Sequence, residues 1–254
     1  MRAARRLHSA SGRRKAGRFL AEGPQAVREA LEVPGIVVEV FSTPQARSLT
    51  LRRQGAPVLE VTDRVLAAVA ETSSPQGVVA VCRDVTVPLQ SLLAATPRLV
   101  VVLAEVRDPG NAGTIIRTAD AAGAGGVVLT TASVDPLGGK CVRSTAGSLF
   151  HLPVTVEAPP TALDELRAAG MRVLAADGAG PVDLRQAQTQ GLLAGPTAWV
   201  VGNEARGLAE SYLSRCDAAV AVPLYGRAES LNVSVAAALC LYASASAQRS
   251  VPAP

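Results

Sequence analysis

Apolar residues follow two different rhythms along this chain. In the first third they form short runs bounded by Gly, Pro and Thr, which predicts strands over Arg18–Glu22, Gly35–Phe41, Pro57–Val61 and Gly77–Cys82. Helical spacing fills the gaps. Pro24 stands at an early helix position, where its missing N–H does no harm, and Ala26, Val27, Ala30 and Leu31 then share one face. Pro44–Arg53 reads as a short helix, and Thr62 as the cap of a helix over Asp63–Ala70. Strands and helices alternating at this spacing predict a small α/β domain over residues 18–83.

From Arg98 onward the apolar runs lose their alternation. Arg98–Ala104, Gly126–Thr130, Met171–Ala176, Ala198–Val201 and Ala218–Val222 are continuous and rich in Val and Ala, the pattern of strands buried on both faces of a parallel sheet. Helical segments over Ala112–Gly123, Thr161–Ala169, Leu208–Leu213 and Leu231–Ala245 separate or follow them. A second α/β domain with a mainly parallel sheet is therefore expected over residues 98–248. Residues 84–97 carry Pro88 and Pro97, lack the strand pattern and read as a linker.

The chain has 254 residues, 48% hydrophobic but 3% aromatic, so Ala, Val and Leu must fill its cores. Cys82, Cys141, Cys216 and Cys240 are scattered, without a CxxC pair or a nearby His. Neither disulfides nor a metal site is expected, and a reducing cytoplasm fits. The uncharged run Ser230–Gln248 holds Asn232 and four serines and makes a poor membrane span. The net charge of +4 is concentrated at the start, where residues 1–18 hold Arg2, Arg5, Arg6, Arg13, Arg14, Lys15 and Arg18 and no acid. A basic arm over residues 1–17 can be a solubilising tail, a transit peptide or a phosphate-binding arm.

Ligands of open parallel sheets bind beyond the carboxyl ends of the strands. Three loops at such positions are rich in Gly and polar residues. In the first, Asn111 can cap a helix, Gly113 opens its N-terminus, and Arg117 follows less than two turns on. That arrangement suits an anion such as a phosphate, although this loop taken alone reads better as Arg117 on a solvated face, pairing Asp120 or Glu105. The second, Gly202-Asn203-Glu204-Ala205-Arg206-Gly207, brackets a Glu and an Arg with glycines and is otherwise a plain turn. The third, Pro223–Ser234, places Ser230, Asn232 and Ser234 at one helix mouth, where a single cap would suffice. No Rossmann, Walker, nucleophile-elbow or HExxH motif occurs. His151 stands alone, as structural histidines usually do.

Together, in this order, the loops resemble the three motifs of the SpoU (TrmH-type) RNA ribose methyltransferases of the SPOUT superfamily. Asn111-x-Gly113-x-x-x-Arg117 is similar to the first, Gly202-Asn-Glu204-x-Arg-Gly207 to the second, and Val222-Pro223 through Glu229-Ser230-Leu-Asn232-Val-Ser234 to the third. Residues 19–82, entered through Phe-Leu-Ala-Glu-Gly-Pro, resemble the family's ribosomal-protein-like RNA-binding module. Asn203 departs from the Ser, Thr or Pro common at its position.

The resemblance implies a trefoil-knotted C-terminal domain, a homodimer, and S-adenosylmethionine held largely by backbone groups. Its expected contacts are Ala176, Asp177, Gly178, Val201, Gly202, Asn203, Gly207, Val222, Pro223, Leu224, Leu231, Asn232 and Ser234. It implies transfer of a methyl group to a ribose 2′-hydroxyl of RNA, with Arg117, Asn111, Glu204, Ser230 and Asn232 as catalytic candidates. Arg117 would activate or clamp the hydroxyl, Asn111 would hold Arg117 or the ribose, Glu204 would pair with Arg206 or Arg117, and Ser230 and Asn232 would line the ribose or methionine end. Arg13, Arg14, Lys15 and Arg18 would guide the RNA. Ribosomal RNA fits better than transfer RNA, because the separate N-terminal module resembles that of rRNA-directed members. The alternatives are a tRNA 2′-O-methyltransferase, a base-methylating SPOUT enzyme, and an RNA-binding or ribosome-assembly protein without activity. No metal and no membrane partner is implied.

Overall fold

The computed structural model describes residues 2–49, 56–157, 161–203 and 206–250. In chain order its elements are α1 (Arg2–Arg5), α2 (Ala10–Ala16), β1 (Arg18–Glu22), α3 (Pro24–Glu32), β2 (Val37–Ser42), β3 (Val58–Glu60), α4 (Asp63–Val69), β4 (Val78–Arg83), α5 (Leu89–Ala94), β5 (Leu99–Leu103), α6 (Pro109–Ala122), β6 (Gly126–Thr130), α7 (Gly139–Ser144), β7 (Val154–Glu157), α8 (Thr161–Ala168), β8 (Arg172–Ala176), β9 (Val182–Asp183), α9 (Leu184–Thr189), β10 (Thr197–Val201), α10 (Glu210–Leu213), β11 (Ala218–Ala221) and α11 (Val233–Ser250). Short 3-10 turns cover Arg6–His8, Pro44–Leu49 and Ser148–Phe150. Most of the helix expected over Pro44–Arg53 is thus a 3-10 turn, and its last residues lie outside the described ones.

The elements fall into two compact units, residues 1–85 with 135–151, and residues 86–134 with 152–254. The segment 135–151 therefore clusters with the N-terminal unit, whereas an unbroken second domain over 98–248 was expected.

The first unit is a four-stranded sheet in the order β1-β4-β2-β3. The basic arm is folded onto it. Ser9 caps α2 by accepting from Gly12 N–H at 3.1 Å, and Gly17, at φ 58°, ends that helix. Ala4 and Leu7 are buried with Leu20, Phe41, Leu66, Val69 and Val79. Arg13 is likewise buried. Its guanidinium donates to Asp135 at 2.7 and 3.0 Å and to the carbonyls of Leu7 and His8 at 2.9 and 3.1 Å. Arg13, expected to meet RNA, thus has four of its five N–H groups bonded inside this unit. Arg14 and Lys15 are exposed and Arg18 is half-buried.

Glu22, at the end of β1, is buried as well. It accepts from the backbone N–H groups of Glu71 and Thr72 and from Arg143 at 3.0 Å. Burial, with the Glu22 carboxylate close by, pushes the Glu71 carboxyl above its ordinary range.

The second unit is built on a seven-stranded sheet in the order β7-β6-β5-β10-β8-β11-β9, and every pairing is parallel. The residues expected to be a linker instead supply α5. Leu89 and Leu92 are fully buried there against Val100, Val128, Leu163 and Leu166. Pro88 sits at that helix's N-cap and so starts an element rather than breaking one. α11 packs on α6, on β5, β8 and β10, and on α9. Trp199, buried in β10, donates its indole N–H to Ser244 at 2.8 Å, and Gln248 donates to the carbonyls of Arg98 and Gly195 at 3.0 and 2.9 Å. These bonds fix both the rotation and the height of α11. No helix among the described residues is long and apolar enough to cross a membrane.

Candidate active site

β5, β10, β8 and β11 lie side by side and in register. Val201 stands opposite Leu103 on one side and Ala176 on the other, and Ala176 pairs with Val220. Because the strands are parallel, the loops that follow them open at one edge of the sheet. This brings all three polar loops together, with the 177–180 turn among them.

The first loop leads into α6. Asp108, not Asn111, is its N-cap, accepting from Asn111 N–H at 2.8 Å, with Pro109 in the first turn. Asp followed by Pro is itself a helix-start signal, so the cap was readable from the sequence. Asn111 is thereby freed from capping and lies inside the first turn. Arg117 is exposed, and no hydrogen bond or ion pair joins it to another described residue.

The third loop ends at Asn232, which caps α11. Its Oδ1 accepts from Ser234 N–H at 2.8 Å and from the Ser234 hydroxyl at 2.6 Å. A backbone N–H can only donate, so the oxygen of this amide is assigned and its nitrogen must point the other way. There Nδ2 donates to Asn111 Oδ1 at 3.0 Å. α11 consequently starts at Val233 rather than Leu231. Ser230 and Leu224 are exposed, Val222, Pro223 and Leu231 are half-buried, and Ser234 is buried. The Tyr225 side chain, with Asp183 adding to its effect, raises the pKa of the exposed Arg185 guanidinium on α9.

In the second loop, the backbone of Asn203 pairs with that of Gly207 in both directions at 2.9 Å, closing a tight turn. Gly202 is required there, since a Cβ would stand 2.5 Å from the Gly207 carbonyl carbon. Gly207 itself has φ 67°, in the left-handed region. Glu204 lies outside the described residues. In the 177–180 turn Asp177 Oδ1 accepts from Ala179 N–H at 3.1 Å, and a Cβ on Gly180 would collide with the backbone of Ala219 and Val220 at 2.7–2.8 Å. Ala176 and Asp177 are half-buried and Gly178 is exposed.

The edge is thus walled by main chain, with glycines where two backbones meet and amide side chains between the loops. Such a wall fits a cofactor recognised through peptide groups. Burial pushes the thiols of Cys82, Cys216 and Cys240 up to about 12, leaving these three little thiolate at neutral pH. No group of three or more His, Cys, Asp or Glu among the described residues could hold a metal ion.

The SpoU rRNA Methylase family matches residues 98–242, and the MRM3-like substrate binding domain matches residues 1–80. A Bacillus subtilis relative, the 23S rRNA (guanosine(2553)-2′-O)-methyltransferase RlmP, is 40% identical over 241 residues, covering 94% of this chain and 92% of that protein. Among solved structures, the AdoMet-bound rRNA methyltransferase from Sinorhizobium meliloti is 33% identical with a TM-score of 0.82, covering 99% of this chain and 95% of its own. The SpoU methyltransferase AviRb from Streptomyces viridochromogenes, in complex with the cofactor AdoMet, is 30% identical with a TM-score of 0.83 and 98% of each chain covered. The chain belongs to the SpoU rRNA methylase family.

Proposed function

We propose that this chain is an S-adenosylmethionine-dependent methyltransferase that modifies a ribose 2′-hydroxyl in ribosomal RNA. The observation that carries this reading is the Asn232–Asn111 bond, which joins the third polar loop to the helix bearing Arg117. Family membership and relatives named for 23S rRNA 2′-O-methylation support it.

S-adenosylmethionine supplies an electrophilic methyl group on a sulfonium. The residues to hold it are the main chain of Ala176–Gly178, Val201–Gly202 with Asn203 and Gly207, and Val222–Leu224, together with Leu231, Asn232 and Ser234 at the helix mouth. Arg117, which bonds no other described residue, can clamp an RNA phosphate together with the hydroxyl oxygen. Arginine stays protonated at neutral pH and rarely gives up its proton to act as a base. Its contribution is therefore orientation and charge: as the O–CH3 bond forms and the S–CH3 bond breaks, the hydroxyl proton passes late to solvent water. Asn111, steadied by Asn232, positions the ribose or the arginine. Ser230 lines the ribose side, and Glu204 provides a carboxylate for Arg206 or Arg117.

In the N-terminal unit, exposed Arg14 and Lys15, with Arg18, meet RNA phosphates. A homodimer is supported by Val235, Leu239 and Tyr242, exposed at helical spacing along α11, with Leu224 and Tyr225 exposed on the third loop. The insertion of β10 between β5 and β8, with α11 following, supports the knotted path. A cytoplasmic location suits both an RNA substrate and four free cysteines.

Calorimetry with S-adenosylmethionine and transfer of its labelled methyl group to purified 23S rRNA, 16S rRNA and tRNA test the reading. Cofactor binding with label in rRNA is expected. Label confined to tRNA would move the substrate, and no binding and no transfer would favour a non-catalytic RNA-binding protein.

A further inference from the structure

Asn203 was expected to serve the cofactor through its backbone. Its side chain does something else. Oδ1 accepts from Arg206 N–H at 3.2 Å, and Nδ2 donates to the Glu105 carbonyl at 2.9 Å. Neither partner can exchange roles, because an N–H only donates and a carbonyl only accepts, so the amide has one orientation. One side chain thus spans from the turn after β10 to the loop after β5.

Its partner is an unusual residue. Glu105 has φ 57°, a left-handed conformation that costs an L residue roughly 1–3 kcal/mol unless its surroundings hold it. Two bonds do so. Its N–H donates to the buried Thr130 hydroxyl at 3.1 Å, and its carbonyl accepts from Asn203. Thr130 is itself placed beside Ser133, 3.2 Å away, whose hydroxyl donates to the Leu103 carbonyl at 2.8 Å. Three residues beyond Glu105 lies Asp108, the cap of α6, and that helix carries Asn111 and Arg117. The bent peptide at Glu105 therefore sets where α6 begins, and groups from β6 and from the turn after β10 fix it from either side.

We infer that Asn203 is a positioning residue, which through Glu105 holds the loop that launches α6 against the Gly202–Gly207 turn. This inference deepens the methyltransferase reading and rests on it for its kinetic consequence. The turn itself does not need the amide, since the Asn203 and Gly207 backbones already close it.

Asn203→Asp separates the two bonds, because a carboxylate still accepts from Arg206 N–H but cannot donate to Glu105. Asn203→Ala removes both. The expected result is that the two variants behave alike. Their Tm should stay within about 3 °C of the parent and the S-adenosylmethionine Kd within threefold. The kcat at saturating cofactor and rRNA should fall about 10–100-fold, the range seen when groups behind a site's contacting residues are lost. Thr130→Val, which removes the other bond to Glu105, should lower kcat similarly and combine with Asn203→Asp less than additively.

A second readout needs no activity. Hydrogen exchange of the unliganded protein should speed up at the amides of residues 105–111 in Asn203→Asp and remain unchanged in α8. Wild-type kcat in Asn203→Asp would overturn the inference. So would a rise in cofactor Kd with kcat intact, which would make Asn203 a binding contact, or unchanged exchange at residues 105–111. If the parent protein transfers no methyl group at all, the functional reading falls, and the exchange experiment alone decides the role of Asn203.

Discussion

Asn232 donates its side-chain amide to the Asn111 carbonyl oxygen across 3.0 Å while its own oxygen caps α11. One residue therefore does two separable jobs. Asn232→Asp retains a good cap and loses the donor. It should melt within about 2 °C of the parent yet turn over more than 10-fold more slowly, in the range of losses from groups that orient a site. Asn232→Ala should show the same kinetic loss and, in addition, about 1 kcal/mol of lost stability from the missing cap. Thermal melts with initial rates at saturating substrates check both. An Asp variant at full rate would make the Asn111 bond incidental.

Arg117 is exposed and makes no hydrogen bond or ion pair with another described residue, so replacing it breaks none of those. Arg117→Ala and Arg117→Lys should both fold normally and both lose roughly 100-fold or more in kcat/KM, because a lysine keeps the charge but not the planar fork. Single-turnover rates on rRNA measure this. Full activity in Arg117→Lys would count against the clamp.

All four strands of the first sheet and five of the seven in the second were readable because their apolar runs are dense and bounded by Gly and Pro, whereas the short edge strands β7 and β9 were not read; the three polar loops stood out against so apolar a chain. Three further kinds of information were not readable. The sequence could not say that α2 folds back on the sheet, because that depends on Asp135, far along the chain, reaching Arg13. Leu89 and Leu92 lay too close to two prolines to be recognised as a buried helical face. The two jobs of Asn232 were hidden because a cap and a site residue are the same residue type, and only the position of Asn111 tells them apart.

The basic arm can be tested by splitting its residues. Arg13 is a buried cation bonded to Asp135, and removing one partner of a buried pair costs about 3–5 kcal/mol when both are fully buried. Asp135 is partly exposed, so Arg13→Ala should cost somewhat less, about 2 kcal/mol, in urea unfolding. Arg14→Ala/Lys15→Ala should leave stability unchanged, weaken rRNA binding and lower the slope of log K against log salt by up to about 2. The reverse pattern would return Arg13 to the RNA surface.

The exposed stripe on α11 predicts an assembly. Leu239 and Tyr242 are 44% and 54% exposed, large apolar groups that a second copy of this surface would cover. The parent chain should run as a dimer in light scattering, and Leu239→Glu/Tyr242→Glu as a folded monomer with little activity. A parent protein that is monomeric at micromolar concentration and fully active would exclude the dimer as part of the site.

The methyl group is expected on a ribose oxygen. Labelled rRNA from the in vitro reaction should be hydrolysed in alkali and its products separated. Label should appear in an alkali-stable dinucleotide, because a methylated 2′-oxygen cannot attack the neighbouring phosphate, and that product should be lost with Arg117→Ala. Label in a mononucleotide carrying a methylated base would contradict it.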